Sequence, residues 1–294
     1  MVEVPHRGAT MDETAAPIVV GIKDKQPSAL RFAALEARSR RRRLRVVHAF
    51  GVPVQAVEHY VEDPALVRQI RTAAQEVLDD VRRQLDELDP TLPVEYVLTE
   101  RTPLQALEVE AAAAQVLVVG ADDVSWLDTL LQTRIVGFLA LRAPCPVVVV
   151  PEQPVAASRD SEVVVTLDGD TPAAGPLRLA FEEAGARDRM LHVLHATPPG
   201  TRADDAAAAR ANVSEVLAGW RETHPDVTVL ERDVQEDPSA AIIDATRRAD
   251  LVVVGRPHHP HLPMALTRPL AMTVLRRAQC PLVVVPAAYG GPPA

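Results

Sequence analysis

The sequence predicts an α/β protein made of two like domains, each a doubly wound parallel sheet of five strands, and three observations support this. The chain repeats itself: Gly120 and Gly255 lie 135 positions apart, and so do Cys145 and Cys280. Short runs of Val, Leu and Ile alternate with longer stretches in which apolar residues recur at helical spacing. Those runs are continuous rather than alternating, the pattern of strands buried on both faces with helices on either side.

In the first copy, strands are predicted over residues 18–22, 44–50, 94–99, 116–120 and 147–150, with mostly helical connections between them. The second copy repeats this at 163–167, 191–195, 227–232, 251–255 and 282–285. Upstream of the 135-residue anchors, IVVGI from Ile18 matches VVVTL from Val163 and LRVVHAF from Leu44 matches LHVLHAT from Leu191, at offsets of 145 and 147. The repeat therefore spans nearly all of each half. Residues 1–16 are expected to be a flexible tail, 17–151 the first domain, 152–161 a linker, 162–286 the second domain and 287–294 a loose C-terminal tail.

Composition narrows the function. A formal net charge of -9 repels a phosphate backbone, and aromatic residues make up only 3% of the 294-residue chain, so nucleic acid is not an expected partner. No apolar run reaches the length of a membrane span, and the N-terminus lacks a basic region followed by an apolar stretch; with two separated cysteines this points to a cytoplasmic location. Cys145 and Cys280 open apolar strands and are expected to be inert packing residues.

In such a domain the ligand crevice lies at the carboxyl ends of the strands. There the second copy reads LDGD, placing Asp168 beside Gly169 in a tight turn. That carboxylate suits a ribose or base group; it equally suits an Asx-turn or a cap for the next helix. The first copy has Lys23 in place of Asp168, changing the charge of the site. His48 and His195 end the second strands near the crevice and, without a GxSxG-type nucleophile, are read as hydrogen-bonded structural residues. His258, His259 and His261 sit on a proline-rich loop without carboxylate or cysteine at ligand spacing, so no metal is expected. The run Arg38–Arg43 is read as solvated arginines at a helix C-terminus.

The ordered set IVVGI, VVHAF, VLVVG and APCPVVVV, recurring as VVVTLDGD, VLHAT, LVVVG and AQCPLVVVP, resembles the universal stress proteins in a tandem arrangement. The resemblance implies Rossmann-like domains of the adenine nucleotide alpha hydrolase kind, often dimeric through the last strand, that act in stress adaptation without a defined catalytic activity. It predicts an internal pseudo-dimer of the two domains and leaves open a homodimer; in the family's strand order 147–150 and 282–285 lie at sheet edges, and an apolar edge invites pairing with its like, so the two are expected to meet. Some members of that family bind ATP through a glycine, two residues, a second glycine, nine residues and then Gly-Ser or Gly-Thr. Counted from Gly120, the later positions fall on Asp123 and Thr133-Arg134; counted from Gly255, they fall on His258 and Arg268-Pro269. Only the first glycine survives in each half, and side chains at the other positions oppose a backbone cradle for phosphate. Arg134 and Arg268 offer a guanidinium clamp in its place, or simply face solvent or a neighbouring carboxylate. The expectation is a non-catalytic stress-response protein with degraded nucleotide motifs and no cofactor. The alternative is a nucleotide-binding regulator in which the second domain takes ATP through Asp168, Gly169, Gly255 and Arg268, with Gly120 and Arg134 the residue of a lost site.

Overall fold

The computed structural model describes residues 15–24, 26–51, 64–121, 135–155, 158, 161–169, 173–256 and 273–290. The first half runs β1 (Ile18–Ile22), α1 (Pro27–Ser39), β2 (Leu44–Ala49), α2 (Pro64–Leu88), β3 (Val94–Thr99), α3 (Pro103–Ala111), β4 (Val116–Ala121), helical residues 135–142 and β5 (Val147–Pro151). The second runs β6 (Glu162–Leu167), α4 (Ala174–Arg187), β7 (Leu191–Ala196), α5 (Ala203–Thr223), β8 (Val229–Val234), α6 (Pro238–Ala245), β9 (Ala249–Gly255), helical residues 273–277 and β10 (Leu282–Val285).

Local chemistry sets several boundaries. Proline opens α1, α3 and α6, where its fixed φ suits the first turn and its missing N–H would have no helical partner anyway. Thr102 and Gln105 form a reciprocal capping box at α3, and Asp237 accepts the amide of Ala240 at α6. Helix α4 ends at Asp188 in the left-handed region, φ 53°.

The strands form one sheet in the order β3-β2-β1-β4-β5-β10-β9-β6-β7-β8. Each half is five parallel strands, and the halves join where β5 and β10 pair antiparallel, Val149 opposite Leu282 and Val147 opposite Val284. The two apolar edges thus satisfy each other's backbone groups, as edge pairing predicts. One core, continuous across both halves, packs Val20, Val118, Val148, Val165 and Val283 under α1, α2, α4 and α5. A second, on the opposite face, packs Leu117, Val149, Val252 and Val284 under α3, α6 and helical residues 135–142 and 273–277.

Three expectations are corrected. Strand β8 lies two residues later than 227–232, because its charged run Glu231-Arg232-Asp233 gives an edge strand little apolar signature. The C-terminal stretch is not loose over 287–290: it forms a turn in which Tyr289 packs against the core, and a Cβ at Gly175 in α4 would overlap the carbonyl of Pro286. Arginines 38–43 are not uniformly solvated: Arg38 is exposed beside Asp89, but Arg40 is enclosed among Glu36, Glu182 and Glu183. The segment after β5 is also held at both ends, since Ser28 Oγ donates to the Glu152 carbonyl at 2.6 Å and the Val155 amide to the Gln279 carbonyl at 2.7 Å. No helix among the described residues is long and apolar enough to cross a membrane.

Candidate functional site

Where β1 lies beside β4, and β6 beside β9, the direction of winding reverses, and the strand ends splay to leave a crevice. The two halves build this place differently.

In the first half, β1 ends at Ile22 and is followed by Lys23, while Gly120 stands one residue from the end of β4. Gln26, the N-cap residue of α1, is buried with its carboxamide against Gly120: a Cβ on that glycine would be 2.7 Å from Gln26 Nε2. Its Oε1 accepts the Lys23 amide at 3.3 Å. The cavity left beside Gln26, Ala29, Gly120 and Val150 is ≈ 10 Å³, room for no more than about one water. The glutamine thus takes the space that a side chain at position 120 would occupy.

In the second half, the residue at the N-cap of α4 is Ala173, so no carboxamide stands in the equivalent position. Gly255 is approached instead by the ring of Pro176, whose Cγ would lie 3.1 Å from an added Cβ. Asp168 is exposed immediately after β6. Gly169 follows at φ +81°, and a Cβ there would stand 2.7 Å from the Ala209 carbonyl of α5. This turn therefore requires glycine for both conformation and space. Asn212 of α5 secures it by donating Nδ2–H to the Gly169 carbonyl at 3.3 Å.

The histidines at the ends of β2 and β7 act alike. His48 Nδ1 lies 3.0 Å from the Ile22 carbonyl and His195 Nδ1 3.0 Å from that of Leu167. A carbonyl only accepts, so Nδ1 carries the hydrogen and each ring ties the mouth of the first strand to the second. Burial pushes the Cys145 thiol up to about 11 and the Cys280 thiol up to about 12, which removes the thiolate at neutral pH.

Arg256, next to Gly255, has a role with no sequence signal. Its guanidinium reaches into the first half and donates to the Ala140 carbonyl at 3.2 Å and to that of Ala143, satisfying buried carbonyls at the C-terminal end of helical residues 135–142. The corresponding residue of the first half is Ala121. Of the residues singled out for ligand contact, Asp168 and Gly169 share a turn beside the crevice in which Gly255 stands, whereas Gly120 is covered by Gln26. Arg134 and Arg268, with Asp123, Thr133, His258, His259, His261 and Pro269, lie outside the described residues. Among the described residues, no three His, Cys, Asp or Glu side chains assemble as a metal site.

The sequence profile of the universal stress protein family matches residues 15–151 and again 161–286. A universal stress protein of Mycobacterium tuberculosis H37Rv is 27% identical over 289 residues, covering 91% of this chain and 95% of the relative. A second from the same organism is 29% identical over 275 residues, covering 92% and 96%. Among solved structures, a universal stress protein from Archaeoglobus fulgidus superposes with a TM-score of 0.63 at 13% identity, covering 90% of this chain and 95% of that one, a likeness of fold. With both halves matched in register with the repeat and relatives aligned nearly end to end, this chain belongs to the universal stress protein family.

Proposed function

We propose that this chain is a non-catalytic stress-response module in which the first crevice is closed and any nucleotide is held weakly by the second. One observation carries the reading: the Gln26 carboxamide occupies the space over Gly120 where the strand ends would otherwise receive a ligand. The second half has Ala173 in that place and presents the exposed Asp168 on a turn held by Gly169 and Asn212. A carboxylate there suits the hydroxyls of a ribose better than a phosphate, which it would repel. The pairing of β5 with β10 covers inside one chain an edge that a second copy would otherwise cover, so the tandem pair is the functional unit of this reading. Buried, free thiols in both halves fit a reducing, cytoplasmic setting.

Calorimetric titration of the full chain with ATP tests this, together with mass spectrometry of whatever co-purifies under native conditions. The expected result is one site of high-micromolar affinity or weaker, reduced about tenfold by Asp168→Ala as a hydrogen bond to a charged group is lost. Tight binding at two sites, or phosphate release from ATP above background, overturns the reading.

A further inference from the structure

Helices α1 and α4 meet across the junction of the two halves, and equivalent residues of the repeat come together there. Glu36 and Glu183 are 147 positions apart, as are Arg40 and Arg187, the offset that also relates Leu44 to Leu191. Each glutamate pairs with the arginine one turn on in its own helix, Glu36 with Arg40 and Glu183 with Arg187 at 2.8 Å. Each also pairs with the arginine of the other half, Glu183 with Arg40 and Glu36 with Arg187 at 3.2 Å. Both glutamates are buried, at 5% and 4% exposure. Their carboxyl groups are thus held between the same two guanidiniums.

Two carboxylates in contact away from water cannot both ionise without cost, and the charges around them decide how many do. From α1 comes Glu36, and from its C-cap Arg40. From α4 come Arg187, Glu183 and Glu182, the last 3.6 Å from Arg40. Tyr289, in the turn after β10, faces Arg40, and the Phe32 ring lies under Arg187 at 5.5 Å. Glu182 is half exposed beside Arg40, so three carboxyl groups face two guanidiniums.

We propose that Glu36 and Glu183 share one proton, and that this proton makes the clamp between the two halves pH-sensitive, tighter in mild acid and looser above neutrality. Burial, reinforced by the charge of Glu183 and only partly offset by Arg40 and Arg187, pushes the Glu36 carboxyl up to about 7. For Glu183, burial acts in the same sense but is outweighed by Arg187 and Arg40, which hold it below its ordinary value. The signs are opposite. A raised carboxyl stabilises the folded chain while protonated, fully below its unfolded value of 4.5 and progressively less as pH rises to about 7. The depressed Glu183 stabilises above its unfolded value and ceases to do so as pH falls through its folded one. The clamp is therefore strongest in the mildly acid range, where Glu36 is protonated and Glu183 is not.

The test uses the full chain and its Glu36→Gln variant, whose amide donates a hydrogen bond as the protonated acid does. Infrared difference spectra at pH 6 should show a protonated carboxyl band in the wild type that is missing in E36Q and disappears with a midpoint near pH 7. The unfolding equilibrium constant of the wild type should rise about fifteenfold relative to E36Q between pH 5.5 and 7. Exchange of the amides that join β5 to β10, corrected for intrinsic rates, should accelerate from pH 6 to 8 in the wild type and not in E36Q. A wild type lacking that band at pH 6, or parallel pH dependence of stability in the two proteins, overturns the proposal. The spectrum of the wild type decides it even if the variant does not fold.

Discussion

At one and the same point of the fold, the first half presents Lys23 and the carboxamide of Gln26, while the second presents Asp168 and the methyl group of Ala173. The strands around these places are interchangeable: Gly120 opposes Val150 in the first half as Gly255 opposes Val285 in the second. A repeated scaffold therefore holds its backbone while the side chains at the helix N-termini diverge. The junction shows the converse. There Glu36 and Glu183, Arg40 and Arg187 keep the same residue in both halves, because each is the partner of the other half's copy.

The largest expected effect concerns the second residue of the first helix in each half, Ser28 and Gly175. A Cβ at Gly175 would overlap the Pro286 carbonyl and stand 2.9 Å from that of Ala287, whereas Ser28 donates to the Glu152 carbonyl at 2.6 Å. Gly175→Ser is expected to lower stability by about 3 kcal/mol, since backbone must shift, and Ser28→Gly by only about 1 kcal/mol. Urea denaturation of the two variants checks this, and equal losses would mean that the halves seat their C-terminal segments alike.

Arg256→Ala removes the guanidinium that bridges to helical residues 135–142 and should cost about 2 kcal/mol, the scale of hydrogen bonds to a charged group. Proteolysis near the end of that helix should quicken with it. A variant as stable as the wild type would show that water satisfies the carbonyls of Ala140 and Ala143 equally well.

Exchanging the crevice residues addresses the contrast itself. Gln26→Ala should cost about 1 kcal/mol, because it vacates the space over Gly120 and leaves the Lys23 amide without that acceptor. Ala173→Gln should weaken any ATP binding without unfolding the chain. If neither change alters ATP titrations, side-chain filling is not what separates the halves.

The smallest difference is between the two thiols. Both are raised chiefly by burial, but Arg256 pulls Cys145 down whereas Asp250 pushes Cys280 up. Neither should react with iodoacetamide in the native protein at pH 7.5. As pH rises through 10, Cys145 should label before Cys280, and the reverse order would place Arg256 elsewhere in solution.

The amino-acid sequence by itself determined the ten strands almost to the residue wherever they are buried, because a strand covered on both faces must be apolar throughout, as in VLVVG and LVVVG. The resemblance to the family supplied the edge position of β5 and β10, and their apolar runs supplied the reason to pair. The reach of the sequence ended at β8, where Glu231, Arg232 and Asp233 carry no burial signal, and at the arginine run. There the shared 147-residue offset of Glu36–Arg40 and Glu183–Arg187 was legible, but not its meaning. Only the tertiary structure decided that the Gln26 carboxamide lies against Gly120, that Arg256 crosses to the other half and that two glutamates converge. Burial of an apolar side chain is settled by its own composition and period, whereas the state of a polar one depends on which groups the fold brings within a few ångströms, here from positions more than a hundred residues away.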